Sequence, residues 1–251
     1  MIKVGCCGWG FYRGGLKAYS KEFKLVEVQQ TFYKLPMPAT AEKWRKEVPE
    51  DFEFTCKAFQ AITHPPTSPT WKRSGIKVTA ETKDKYGFLK PTEENFRAWK
   101  NTKEICEALK AEVCVIQCPP TFNYGSENVR NLRKFFSEID RGKLLLAWEP
   151  RGDWVDHLEE VKKLCKELDL IHVVDLMRRE PVSDQPVSYI RLHGLNPREY
   201  DYNYRYTEAE LRELAKRLTK LEKDHETVYC MFNNYAMYEN AKQLMAILGT
   251  S

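Results

Sequence analysis

The strongest constraint on this chain is a repeat of short apolar runs of strand character, each halted by a charged or amide residue. They read VEV around Glu27, FTC ending at Lys57, VCVIQ at Gln117, LLLAWE at Glu149 and IHVVD at Asp175. YIRLH, with Arg191 and His193, and VYCMFNN, with Asn233 and Asn234, complete the series. Segments of helical periodicity separate most of these runs. A parallel strand covered by helices on one face and by core on the other is apolar along its length. In a closed parallel barrel all strand C-termini lie on one rim, so these polar residues are expected to converge on one central cavity.

The remaining elements follow the same logic. Ile2–Cys7 is the expected first strand, Leu25–Gln30 the second and Phe52–Lys57 the third, with a short helix from Pro38 to Val48 opened by proline. Residues 58–90 are long, rich in Pro and Lys and poorly periodic, an irregular excursion of the kind that is usually functional. Helices are expected over Thr92–Leu109, from Ser126 as cap to Ile139, over Asp156–Leu168, Thr207–Leu221 and Ala236–Leu248. Strands are expected at Val113–Gln117, Leu144–Glu149, Ile171–Asp175, Val187–His193 and Thr227–Phe232. The sixth crossover, Leu176–Pro186, is too short for a full helix. The prediction is a single (β/α)₈ TIM-type barrel spanning 1–251, with an open doubly wound sheet as the alternative.

Composition narrows the setting. With 42% hydrophobic and 30% charged residues the chain reads as an ordinary soluble globular protein, and its net charge of +4 permits phosphate or nucleic acid without demanding either. No signal peptide precedes the strand-like MIKVGCC, and no run approaches the roughly 20 apolar residues of a membrane span. A cytoplasmic location is expected. The eight cysteines sit mostly inside apolar runs and are expected to be free thiols.

Seven segments carry a resemblance: GCCGW (Gly5–Trp9), VEVQQTFYKLP (Val26–Pro36), FTCKAFQAITH (Phe54–His64), QCPP (Gln117–Pro120), WEPR (Trp148–Arg151), YIRLHG (Tyr189–Gly194) and FNN (Phe232–Asn234). In this order they resemble the domain of unknown function 72, or YecE-like, family. The resemblance implies a TIM-type barrel whose matching polar motifs line the top, and it carries no reaction with it. By analogy with zinc-dependent apurinic endonucleases it suggests chemistry related to DNA. The chain departs from the family pattern at Cys6 and Cys7, where a Thr-Ser pair is usual, and at Cys118, where Leu is common.

Several chemistries compete for these residues. Glu27, Glu149, Asp175 and His193 are the ligand types a divalent metal would take. Lys57, Arg151 and Arg191 would share their cavity, so a self-satisfied ion-pair network is equally consistent. A two-carboxylate glycosidase fits less well, because Gln117 and Arg191 stand at the ends of the fourth and seventh strands. Arg191, His193, Asn233 and Asn234 mark the quadrant where many barrels bind phosphate. The GWGFYRGG loop misses nucleotide-loop spacing, and its glycines are expected to bring Trp9 and Tyr12 over the rim. Two loops mix cations with aromatics, one from His64 through Trp71 to Tyr86, the other with Tyr200, Tyr202, Tyr204 and Tyr206, as a nucleic-acid contact would.

The favoured expectation is a hydrolase or related acid–base enzyme acting on an anionic or phosphate-bearing substrate. Glu27 or Glu149 would act as base, His193 would shuttle protons, and Lys57 and Arg191 would neutralise charge. Trp9, Tyr33, His64, Gln117, Arg151, Asp175, Arg191, Asn233 and Asn234 would bind substrate. The alternatives are a non-catalytic module for DNA or RNA, and a lyase forming a Schiff base on Lys57.

Overall fold

The computed structural model describes residues 1–249, so the last two positions of the expected 1–251 domain lie outside the described residues. Eight strands are present: β1 (Ile2–Cys6), β2 (Leu25–Val28), β3 (Glu53–Lys57), β4 (Val113–Gln117), β5 (Leu145–Glu149), β6 (Leu170–His172), β7 (Val187–Leu192) and β8 (Thr227–Phe232). The sheet order is β6-β5-β4-β3-β2-β1-β8-β7, and a parallel bridge between Val174 and Ile190 joins the segment after β6 to β7. Each strand therefore neighbours its successor all the way round. A doubly wound sheet reverses order at a switch point; this order is that of a (β/α)₈ barrel.

The helices are α1 (Gly15–Tyr19), α2 (Gln30–Tyr33), α3 (Pro38–Lys46), α4 (Glu93–Leu109), α5 (Ser126–Glu138), α6 (Leu158–Leu168), α7 (Glu208–Leu221) and α8 (Met237–Leu248). Two short ones were not expected. Gln30 opens α2 instead of ending β2, because Thr31 turns inward and its hydroxyl meets the Val28 carbonyl at 2.8 Å and the Lys57 carbonyl at 2.6 Å. The expected helix from Asp156 is a 3₁₀ turn over Gly152–Asp156 followed by α6. β6 stops at His172, so Asp175 lies three residues past its strand, and no helix fills the sixth crossover. Ser126 is the first residue of α5 and not its cap; Gly125 holds that place in an extended conformation. No helix among the described residues is long and apolar enough to cross a membrane.

The chain forms two compact units. The first comprises Met1–Glu27, Glu47–Glu53 and the segment from Ile171 onward. Within it β1 pairs with β8 from Ile2↔Val228 to Cys6↔Phe232, and β8 pairs with β7 along its length. Tyr19 in α1 is fully buried; its hydroxyl accepts from the Cys6 N–H at 3.0 Å and donates to the Leu25 carbonyl at 2.7 Å, which ties α1 to β1 and β2. Helix α7 starts on a complete capping box, Thr207 with Glu210, and buries Leu211, Leu214, Leu218 and Leu221 at helical spacing.

The second unit comprises Val28–Lys46 and Phe54–Leu170. Its strands β4 and β5 pair in register from Val113↔Leu145 to Gln117↔Glu149. The excursion over 58–90 contains only 3₁₀ turns, at Gln60–Ile62 and Pro69–Arg73. Asn95 of α4 fastens it, donating to the carbonyls of Gly87 and Lys90 at 3.2 and 3.0 Å. Gly87 has φ +78°, and a Cβ there would fall 2.6 Å from the His64 backbone, so only glycine fits.

Candidate functional site

In the first unit, Glu27 and Arg191 form a buried ion pair. The Arg191 Nη2 donates to Glu27 Oε1 at 2.8 Å and its Nε to Oε2 at 3.0 Å, a bidentate fork with both side chains at zero exposure. The Tyr189 hydroxyl adds a third hydrogen bond to Oε2 at 2.9 Å. Tyr189 and Arg191 share one face of β7 because a strand repeats every two residues, a signal present in YIRLH. Arg191 Nη2 also donates to Cys7 Sγ at 3.7 Å. Burial, followed by the Glu27 charge, pushes the Cys7 thiol well above its ordinary pKa, so it is no reactive thiolate.

The same unit gathers Asp175 and His193. Asp175 Oδ2 accepts the backbone N–H of His193 at 3.0 Å and Oδ1 that of Met177, also at 3.0 Å. The His193 ring Nδ1 lies 3.9 Å from Asp175 Oδ2, within ion-pair reach but beyond a hydrogen bond. Burial raises the Asp175 pKa to about 6, the backbone donors opposing it. Tyr200 and Tyr202 pack on the His193 ring with centroids 5.5 and 5.7 Å away. Their segment is tied down at several points. Arg179 pairs with Glu199 through two bonds of 2.6 and 2.7 Å, Arg178 donates to the carbonyls of Gly194 and Asn196, and Asn234 donates to that of Tyr204. Gly194 has φ +102°, and a Cβ there would lie 2.3 Å from that of Tyr204, so the segment lies flat on a glycine. Asn233 is half-buried, and its backbone N–H continues the β7–β8 ladder to Leu192.

The second unit assembles a different set. Lys57, His64, Glu149 and Arg151 are all buried. The Lys57 ammonium lies 3.9 Å from the centre of the Phe32 ring, and that ring meets His64 edge-on at 5.0 Å. Arg151 Nε donates to Glu149 Oε1 at 2.7 Å, with Nη2 2.5 Å from the same oxygen. Burial is the largest cause that lowers the His64 pKa to about 3; Lys57 and then Arg151 lower it further, and Glu149 opposes them. His64 is therefore a neutral imidazole at physiological pH, its Nδ1 2.8 Å from the Thr63 hydroxyl. Gln117, the register partner of Glu149, turns its amide to the Cys118 carbonyl at 3.1 Å. Tyr33 is stacked under the Arg73 guanidinium at 3.8 Å.

Other expectations resolve as follows. Trp9 is buried, while Tyr12 packs inward against Tyr19 and Tyr238 at 5.4 and 4.9 Å. All eight cysteines are free and buried, and burial pushes Cys118 up to about 12. Trp71 and Tyr86 are buried against each other at 5.4 Å, and Tyr206 is buried with its hydroxyl accepting the Gly194 N–H, so these rings present no face to a base. Among the described residues no group of three or more His, Cys, Asp or Glu is disposed to hold a metal ion. Glu27 and Glu149 are engaged by arginines instead. Residues that sequence reasoning missed include Tyr189, Arg178, Arg179, Glu199 and Asn240. Asn240 is fully buried, accepting from the Tyr206 N–H and donating to the Tyr206 carbonyl.

Three comparisons place this geometry among known proteins. The UPF0759 protein YunF of Bacillus subtilis is 28% identical, covering 99% of this chain and 95% of its own length. The crystal structure of a DUF72 family protein from Thermotoga maritima superposes with a TM-score of 0.76 at 24% identity, covering 99% of each chain. Endonuclease IV from Thermus thermophilus superposes with a TM-score of 0.52 at 12% identity over 98% of each chain, a likeness of fold alone. The family model described as "Protein of unknown function DUF72" matches residues 3–251, and the chain therefore belongs to that family.

Proposed function

We propose that the protein is an acid–base enzyme of hydrolase type acting on a small anionic, phosphate-bearing substrate received by Lys57, His64, Glu149 and Arg151. The observation that carries this reading is the gathering of buried Lys57, Arg151 and Glu149 around His64, whose imidazole burial and the two cations keep neutral. Two buried cations beside an uncharged hydrogen-bonding ring are the groups an incoming anion would use. Lys57 and Arg151 would neutralise its charge. A Thr63 hydroxyl donating to Nδ1 would leave the His64 proton on Nε2, where it could be donated to the substrate. An anion that shares the Arg151 fork would release Glu149 to act as base.

The same geometry weighs against a Schiff base. The Phe32 face stabilises the Lys57 ammonium, the form that cannot attack a carbonyl. The nucleic-acid reading draws no comparable support, since Trp71, Tyr86 and Tyr206 are buried.

Thermal shift with inorganic phosphate, followed by phosphomonoester and phosphodiester panels with and without chelator, tests the proposal. Phosphate should raise the melting temperature of the wild type but not of Lys57→Met. Turnover should fall by about 10²–10⁴ in Glu149→Gln, the usual contribution of a general base. No turnover across the panel, or unchanged turnover in Glu149→Gln, rejects it.

A further inference from the structure

Two surface grooves of similar size lie between neighbouring helices, and their walls differ in charge. In the second unit a groove of about 740 Å³ separates α5 from α6. Its wall mixes the two signs: beside Arg130, Arg133 meets Glu160 and Glu167 at 3.2 and 3.0 Å, and Lys134 meets Glu138 at 3.8 Å. In the first unit a groove of about 600 Å³ runs between α7 and α8. Its charged lining is Arg212, Lys216, Lys220 and Lys223, with no carboxylate in the wall among the described residues. Only Arg212 has an acidic partner, Glu208 at 2.6 Å; among the described residues the three lysines have no ion pair. All four side chains are exposed.

The spacing is as informative as the sign. Positions 212, 216 and 220 follow the i, i+4, i+8 pattern that puts side chains on one face of α7, about 6 Å apart at each step, and Lys223 extends the row from the turn just past the helix end. A second helix with carboxylates at the same spacing repeats at the same step. The floor of the groove is apolar, made by Ala215 of α7 with Ile247 and Leu248 of α8. A nucleic-acid strand needs ring faces on which to stack its bases, and no aromatic residue lines this groove. An amphipathic helix brings both an apolar edge and a charged one.

From this complementarity we infer that the α7–α8 groove is a docking surface for an acidic amphipathic helix of a partner protein, its glutamates meeting Arg212, Lys216, Lys220 and Lys223 and its apolar edge on Ala215, Ile247 and Leu248. This is separate from the Lys57–His64–Glu149–Arg151 cluster, which lies in the other unit. Like-signed cations along one helix face repel one another modestly; the partner's carboxylates would relieve that repulsion.

The probe is a synthetic helical peptide of about 16 residues, with Glu at the matching i, i+4, i+8 and i+11 positions and Leu between them. Its binding to the full chain is read by fluorescence anisotropy, beside an oligothymidylate of equal length and vesicles containing phosphatidylserine. Saturable peptide binding is expected, weakening about tenfold or more in the triple variant Lys216→Glu, Lys220→Glu, Lys223→Glu and by less in the triple Gln variant. A Leu→Ser peptide should also bind more weakly, which bare charge attraction would not require. Because the three lysines are exposed, both variants should melt with the wild type. Absent binding, equal affinity for the charge-reversed variant, or tighter binding of the oligonucleotide or the vesicles would overturn the inference.

Discussion

Glu27 with Arg191 in one unit, and Glu149 with Arg151 in the other, are built from the same residue types near the ends of parallel strands, yet their surroundings differ. The first pair is a two-pronged fork with no exposure, joined by the Tyr189 hydroxyl. In the second both Arg151 contacts fall on Glu149 Oε1, and Lys57 acts beside them on a neutral imidazole. Where a fork and a hydroxyl hold the carboxylate, an ion pair ties strands together. Where two cations gather beside a neutral ring, an anion from outside can share them. The chemistry of a buried salt bridge is thus set by what remains after the pair has formed.

The sharpest way to break this contrast is Arg191→Met. It strands the Glu27 carboxylate in the core, and stability measured by urea unfolding should drop by about 3–5 kcal/mol, the usual cost of an uncompensated buried charge. Adding Glu27→Gln should restore a large part. If Arg191→Met unfolds like wild type, the pair is not the structural element described here.

A smaller effect belongs to Asp175. Its folded pKa is raised to about 6 from 3.8, so the native state holds its proton more tightly than the unfolded chain does. The stability tied to that proton is present below pH 3.8 and lost as pH rises through 6, a swing of about 3 kcal/mol at 1.36 kcal/mol per unit. Compared with wild type, Asp175→Asn should therefore gain stability between pH 4 and pH 7, on top of any constant offset from altered hydrogen bonds. A pH-independent difference between the two unfolding curves refutes the raised value.

His64 should show the opposite sign. Its folded pKa of about 3 lies below the unfolded 6.5, so its stability is intact above pH 6.5 and falls as pH drops toward 3. At pH 5 the loss is about 2 kcal/mol, and His64→Gln should abolish that share of the acid sensitivity. His172, buried and also lowered to about 3, supplies an internal comparison. The smallest expected change is read by histidine NMR titration. Arg151→Met should let the His64 pKa rise while His172, which responds to burial and Arg179, stays in place. A His64 unmoved by that change would remove Arg151 from the anion site.

Much of the fold was legible because periodicity survives folding. The runs VCVIQ, LLLAWE and VSYIRLH became β4, β5 and β7 within a residue at each end, and the Leu spacing of α7 became its buried face. Boundaries failed where a side chain beyond the run decided them. Thr31 bent the chain into α2 two residues after β2, and β6 ended early, leaving Asp175 in a loop held by the N–H groups of Met177 and His193. The packing of the aromatic loops was not legible for a related reason. Composition showed rings beside cations but not that Trp71 packs on Tyr86 or that Tyr200 and Tyr202 lie against His193.

The order of strands and helices, and the kinds of polar groups that close each strand, follow from local pattern, because a buried parallel strand must be apolar and can afford charge only at its end. Which charges cancel follows from neither. Glu27 and Arg191 stand 164 residues apart, and Lys57 and Arg151 meet His64 from separate stretches of chain. Coulomb energy and desolvation depend on distances in space and on exclusion of water, so only the folded arrangement distinguished a neutralised pair from a cationic cluster.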